Sequence, residues 1–163
     1  MSDILISRIE EQEINLQFKE FTNESALEIG MYLVNNATSH NHPIVIDITR
    51  GEQRLFFYAC KGSSKDNEFW VERKKKITTR FGRSSMLTKL KYEKIAPEKF
   101  NPTAISLDSS YTLSGGCFPV IIKNTGVIGT ITVSGLTDID DHNMVVNAIE
   151  HYLKRQIKIQ LKD

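Results

Sequence analysis

Ile44-Val45-Ile46-Asp47-Ile48, the turn Arg50-Gly51-Glu52-Gln53 and the returning run Leu55-Phe56-Phe57-Tyr58-Ala59-Cys60 read as one β-hairpin. Both runs are of strand length and rich in β-branched and aromatic side chains, and Pro43 leads into the first. The pattern recurs downstream. Phe118-Pro119-Val120-Ile121-Ile122, the turn Lys123-Asn124-Thr125-Gly126 and Val127-Ile128-Gly129-Thr130-Ile131-Thr132-Val133 make a second hairpin. Hairpins pair antiparallel, and helical periodicity lies between and around them. The chain therefore predicts an α+β fold, helices packed on an antiparallel sheet, in place of a Rossmann-type parallel one.

Working outward, Thr22 or Asn23 caps a helix whose stripe is Ala26, Ile29, Gly30, Leu33 and Ala37. Gly30 on that stripe implies close approach of another backbone. An acidic opening with Glu10, Glu11 and Glu13 predicts a short helix, after which Ile14, Leu16 and Phe18 alternate like a brief strand. The last helix runs from about 138 to 160, with Val145, Ile149, Leu153 and Ile157 on one face. Residues 82–117, with Pro97, Pro102 and many Ser and Thr, read as one long loop of the kind that binds ligands or closes over them. One domain spanning 1–163 is expected, with 1–20 as an N-terminal extension.

Composition narrows the class. A chain of 163 residues with 40% hydrophobic content can bury a core without a staple. Cys60 and Cys117 lie far apart without a CxxC spacing, so buried free thiols in a reducing compartment are expected. Neither a leader nor a long apolar run is evident, which points to a soluble cytoplasmic protein with no membrane partner. A net charge of +1 with mixed signs argues against nucleic acid as the main partner.

The chemistry concentrates in Lys65-Asp66-Asn67-Glu68-Phe69-Trp70-Val71-Glu72-Arg73-Lys74-Lys75-Lys76 and Arg80-Phe81-Gly82-Arg83-Ser84-Ser85, which hold the only Trp beside a dense basic run. At helical spacing Trp70, Ile77 and Phe81 share one stripe, while Arg73, Lys76, Arg80 and, if the turn continues past Gly82, Arg83 share another. An aromatic edge beside guanidinium forks suits a flat or anionic ligand. A core stripe backed by a solvated charged face accounts for the same residues. Ser114-Gly115-Gly116 precedes a strand, where the glycines allow close backbone approach, an anion-binding nest or simply a turn. Thr137-Asp138-Ile139-Asp140-Asp141-His142 opens the last helix as a capping box with Asp141 complementing the dipole, and the Asp141-His142 pair could alternatively orient an imidazole. His40-Asn41-His42 sets two imidazoles on one side of an extended segment without a third ligand, so no metal site is assigned.

Taken in order, Asp66-Asn67-x-x-Trp70-x-x-Arg73-Lys74, Arg80-Phe81-x-x-Ser84-Ser85, Gly115-Gly116-x-Phe118-Pro119-Val120 and Ile128-Gly129-x-x-x-x-Val133-Ser134-Gly135-Leu136 with Asp141-His142 resemble the heme-binding-protein-like superfamily. That superfamily is labelled HbpS-like or GlcG-like, with a "heme-degrading domain", and the resemblance covers residues 20–155. It implies a profilin-like α-β-α fold with about five antiparallel strands, assembled into homo-oligomers. The expected function is non-catalytic binding of a small anionic ligand, heme or another tetrapyrrole among the candidates for cofactor. Its expected site comprises Asn67, Trp70, Arg73, Lys74, Arg80, Ser84, Ser85, Gly115, Gly116, Asp141 and His142. Two alternatives stand: an enzyme that degrades heme or modifies tetrapyrroles with Asp141 and His142 as acid–base partners, and a scaffold whose basic helix binds an acidic protein partner. Whether the chain is an enzyme stays open at this point.

Overall fold

A computed structural model describes residues 2–95 and 110–160. In chain order these form α1 (Ser2–Asn15), α2 (Asn23–Ser39), β1 (Val45–Arg50), β2 (Gln53–Ala59), α3 (Lys65–Phe81), α4 (Ser85–Ile95), β3 (Cys117–Ile122), β4 (Gly126–Ser134) and α5 (Asp138–Gln160). The strands build one antiparallel sheet in the order β2-β1-β4-β3. Both hairpins and the α+β class are therefore present. The expected fifth strand is reduced to a single parallel bridge from Phe18 to Ile122 at the β3 edge.

Period-two alternation gives the sheet two unlike faces. Ile46, Ile48, Phe118, Val120, Ile131 and Val133 pack with Ala26, Ile29, Leu33 and Ala37 of α2 and with Val145 and Ile149 of α5, forming the main core. The opposite face carries Asp47, Thr49, Cys117, Thr130 and Thr132, all buried. Asp47 is fully buried there, paired with Arg54 at 2.9 Å and Lys75 at 3.3 Å, and accepting from Thr49 Oγ1 at 2.6 Å. This polar face is what α3 covers, with Thr78 Oγ1 donating to the Cys117 carbonyl at 3.4 Å. Burial pushes the Cys117 thiol up to about 11, so it is a packed, protonated group.

Three local expectations need correction. The segment 82–117 is not one loop, since α4 occupies Ser85–Ile95; Ser84 Oγ accepts from Leu87 N at 3.2 Å and starts the helix. Met86, Leu87 and Leu90 then bury against Ile6 and Ile9 of α1 in a satellite core, which is why this short segment is helical. Pro97 and Pro102 lie outside the described residues. The N-terminal helix is longer than expected and includes Ile14, 70% exposed, so no strand begins there. Gly30 is approached by a side chain and not a backbone: a Cβ at that position would sit 2.5 Å from the Phe56 ring.

Candidate functional site

The inner face of α3 is Val71, Lys74, Ile77 and Thr78, all buried. Lys74 is the anomaly in that row. Its side chain is 3% exposed, and its Nζ donates to Asp141 Oδ2 at 3.0 Å and to the Val133 carbonyl at 3.0 Å. Asp141 is 2% exposed and also accepts from Leu136 N at 2.9 Å and Gly135 N at 3.3 Å. Burial pushes the Asp141 carboxyl above its ordinary range, while the Lys74 ammonium and these two amides work to keep it ionised. An ion pair of this kind holds the ends of β4 and α5 against α3.

Above the pair opens a cleft of about 230 Å³ lined by Asn67, Trp70, Lys74, Ser114, Leu136 and Asp141, with Ser134 and Gly135. Asn67 Oδ1 accepts from Ser64 N at 2.9 Å, a capping contact that fixes the first turn of α3. The half-buried Trp70 donates from Nε1 to Asp66 Oδ2 at 3.1 Å, and the Arg73 guanidinium lies 5.3 Å from its ring centroid. Ser114 Oγ donates to Asp138 Oδ1 at 2.6 Å, and Lys89 also contacts that carboxylate. Although burial works against it, Lys89 and Ser114 hold the Asp138 carboxyl below its ordinary range.

Gly115 and Gly116 pass behind the cleft because nothing larger fits. A Cβ on Gly115 would lie 2.4 Å from the Asp138 carbonyl, and one on Gly116 would lie 2.4 Å from that of Val133. The doublet therefore serves close approach to the backbones of α5 and β4. Of the expected site residues, the structure brings together Asn67, Trp70, Lys74 and Asp141 at the cleft, with Arg73 on Trp70 and the two glycines behind. The others stand apart. Ser84 and Ser85 are fully buried, Ser84 capping α4 and Ser85 Oγ accepting from Cys117 N at 3.1 Å. Arg80 is exposed beside Phe81 and Tyr111. Sequence reasoning missed Ser114 and Leu136 as lining residues. The capping contact read at Thr137 is present, its Oγ1 accepting from Asp140 N at 3.2 Å, whereas Asp141, read as a dipole complement, is the buried partner of Lys74. The signal for Lys74 was present, since it shares a helical face with Val71 and Thr78.

His142 turns the other way from its neighbour. Its Nε2 meets Gln12 Oε1 of α1 at 2.8 Å, which makes Nε2 the protonated nitrogen, and among the described residues its Nδ1 has no partner. Burial pushes the imidazole down to about 4. The unfolded chain, with the ordinary value near 6.5, takes up the proton first, so His142 should cost stability as pH falls from 6.5 to about 4. Glu13 and Asp141, raised by burial, act with the opposite sign. The slope of unfolding free energy against pH should therefore drop in that window when His142→Gln is compared with the wild type; an unchanged slope would show that the imidazole is not buried in neutral form. Among the described residues no group of three His, Cys, Asp or Glu side chains is placed to hold a metal, and no helix is long and apolar enough to cross a membrane.

Residues 21–150 match the family model described as haem degrading protein HbpS-like. A UPF0303 protein of Streptomyces coelicolor is 37% identical over 148 residues, covering 91% of this chain and 93% of the relative. Among solved structures, the Ybr137w protein superposes with a TM-score of 0.83 at 28% identity, over 93% of this chain and 89% of the other. PduOC in complex with heme gives 0.65 at 12% identity over 80% and 93%, a likeness of fold.

Proposed function

The chain belongs to the haem degrading protein HbpS-like family, and from that premise we propose that it is a cytoplasmic, homo-oligomeric protein that binds a small anionic ligand at the Trp70–Lys74–Asp141 cleft. Heme or a related tetrapyrrole is the first candidate. The observation that carries this reading is the ammonium at the cleft floor. Of the three N–H donors of Lys74, Asp141 and Val133 take two, which leaves one for a ligand carboxylate. Trp70 offers an aromatic wall for a flat ligand, and Arg73, without an ion pair among the described residues, adds a cation at the rim. At about 230 Å³ the cleft lies below the range of roughly 300–1,000 Å³ usual for drug-sized ligands. A propionate-sized group fits inside it, with a tetrapyrrole ring left outside against Trp70. The heme complex of PduOC, a protein of like fold, supports trying this ligand first.

Binding is favoured over turnover because the acid–base pair required by a heme-degrading or tetrapyrrole-modifying enzyme is not formed: Asp141 faces Lys74, and His142 faces Gln12. Self-association is supported by exposed apolar side chains along one edge. Leu27 and Met31 of α2 are 55% and 44% exposed, and Tyr58, on the unpaired edge strand β2, is 45% exposed. Buried free thiols at Cys60 and Cys117 accord with a reducing compartment.

Sedimentation velocity with hemin, followed at both the protein and the Soret absorbance, tests assembly and binding together. Hemin should co-sediment with a species heavier than one chain, and Trp70→Ala should weaken its binding roughly tenfold. Hemin that stays behind while citrate raises the melting temperature would remove the tetrapyrrole and leave the anionic ligand. No response to either would transfer support to the scaffold alternative, and a species of one-chain mass would end the assembly claim.

A further inference from the structure

Residues 73–83 contain six cations and no carboxylate, and α3 sorts by face the five of them that it carries. Inner cations are neutralised: Lys74 pairs with Asp141, and Lys75 pairs with Asp47 and with Glu72, each at 3.3 Å. The acids of α3 itself are also engaged. Asp66 accepts from Trp70, Glu68 pairs with Lys65, and Glu72 meets Lys75 and Arg54. On the outer face Arg73, Lys76 and Arg80 follow one another at helical spacing, and among the described residues none of them makes an ion pair; Arg83 lies beyond the left-handed Gly82 that ends α3, donates to Thr88 Oγ1 at 3.2 Å and acts on the Glu13 carboxylate.

Like charges three and four residues apart repel by a few tenths of a kcal/mol per pair. Among the described residues, aromatic rings support this row. Arg73 lies 5.3 Å from the Trp70 centroid and Lys76 5.8 Å from that of Tyr111. Arg80 stands 5.5 Å from Phe81 and 5.7 Å from Tyr111. Cation–π contact restrains a guanidinium without cancelling its charge. The row is thus partly ordered before any partner arrives and still carries its full charge, the condition under which charge-assisted bonds to carboxylates are strongest.

We propose that this outer face of α3 docks an acidic peptide segment of a protein partner. From Arg73 to Arg80 the row extends about 10 Å at the helical rise. That length matches about three residues of extended peptide, or about two turns of an acidic helix. A single-stranded nucleic acid fits less well. The rings are already occupied by cations and offer few free faces for base stacking, the net charge of +1 provides no wide positive field, and Asp66, Glu68 and Glu72 flank the N-terminal end of the row.

The test titrates fluorescein-labelled decaglutamate into the intact protein and reads anisotropy at low and physiological salt, with an oligothymidylate of equal charge alongside. Wild-type protein should bind the peptide more tightly than the oligonucleotide. Lys76→Glu with Arg80→Glu should weaken the peptide at least tenfold, and Lys76→Ala with Arg80→Ala by a smaller factor. Lys154→Glu with Lys158→Glu on α5, the same change of net charge at exposed sites elsewhere, should stay within twofold. Circular dichroism checks that each variant is folded, and the alanine pair decides the matter should the glutamate pair unfold. An equal loss in the α5 control, no binding of decaglutamate, or tighter binding of the oligonucleotide would overturn the assignment.

Discussion

Replacing Lys74 with methionine is expected to lower the unfolding free energy by about 3–5 kcal/mol, a large fraction of the stability of a chain this size. The side chains of Lys74 and Asp141 are 3% and 2% exposed, so water cannot solvate whichever charge is left behind. Methionine fills much of the space of the lysine stem, which confines the loss to electrostatics and hydrogen bonding. In Lys74→Met, Asp141 keeps Gly135 N and Leu136 N as donors but loses its counter-charge. Adding Asp141→Asn removes the orphaned charge while retaining an acceptor for Leu136 N, so the double variant should recover more than half of the loss. Urea midpoints for the wild type, both single variants and the double variant close the cycle. A loss below about 1 kcal/mol in Lys74→Met would mean that the ammonium is not a desolvated partner of Asp141, and the cleft floor would then lack the fixed N–H donor that the ligand-binding reading requires.

Why that pair was invisible as a pair, although both residues could be named, follows from sequence distance. The hairpins were legible because each is local: β-branched and aromatic runs flank turn residues such as Gly51 and Asn124, and both strands of each pair lie within about twenty residues. The α2 helix was legible for the same reason, its cap at Thr22 and its stripe from Ala26 to Ala37 falling in one window. By contrast, α4 owes its helix to Met86, Leu87 and Leu90 meeting Ile6 and Ile9 some eighty residues earlier, and a local reading saw only a stretch rich in hydroxyls. The site divides along the same line. Trp70, Arg73 and Lys74 stand out within a single helix, but only the fold shows that Lys74 points inward to Asp141 and that Arg80 does not share the cleft. Asp141 and His142 illustrate the limit most clearly. Adjacent in sequence and suggestive of one catalytic pair, they occupy different sides of α5 and serve different contacts, one with α3 and the other with α1.

Gly116 should tolerate no side chain, and Gly116→Ala is expected to cost about 3 kcal/mol or more. Two separate penalties meet there. Its φ of +126° lies where an L side chain is rarely found, a strain of about 1–3 kcal/mol. A Cβ would also lie 2.4 Å from the Val133 carbonyl, 2.9 Å from Asp141 Cβ and 2.9 Å from Lys74 Nζ, adding an overpacking term of about 1–3 kcal/mol. Neither β4 nor the ion pair can yield without disturbing the other, because the Val133 carbonyl also accepts from Lys74. Gly82 supplies the control: its φ is +66°, yet nothing lies within 4 Å of a Cβ there, so Gly82→Ala should cost only the left-handed backbone term of about 1–2 kcal/mol. Thermal and urea unfolding of the two variants separates the terms. Equal losses would show that the space between β4, α3 and α5 is looser than the packing around Lys74 requires. A greater loss at Gly116, accompanied by weakened ligand binding in whatever fraction remains folded, would tie the glycine's lack of a side chain to the geometry of the cleft.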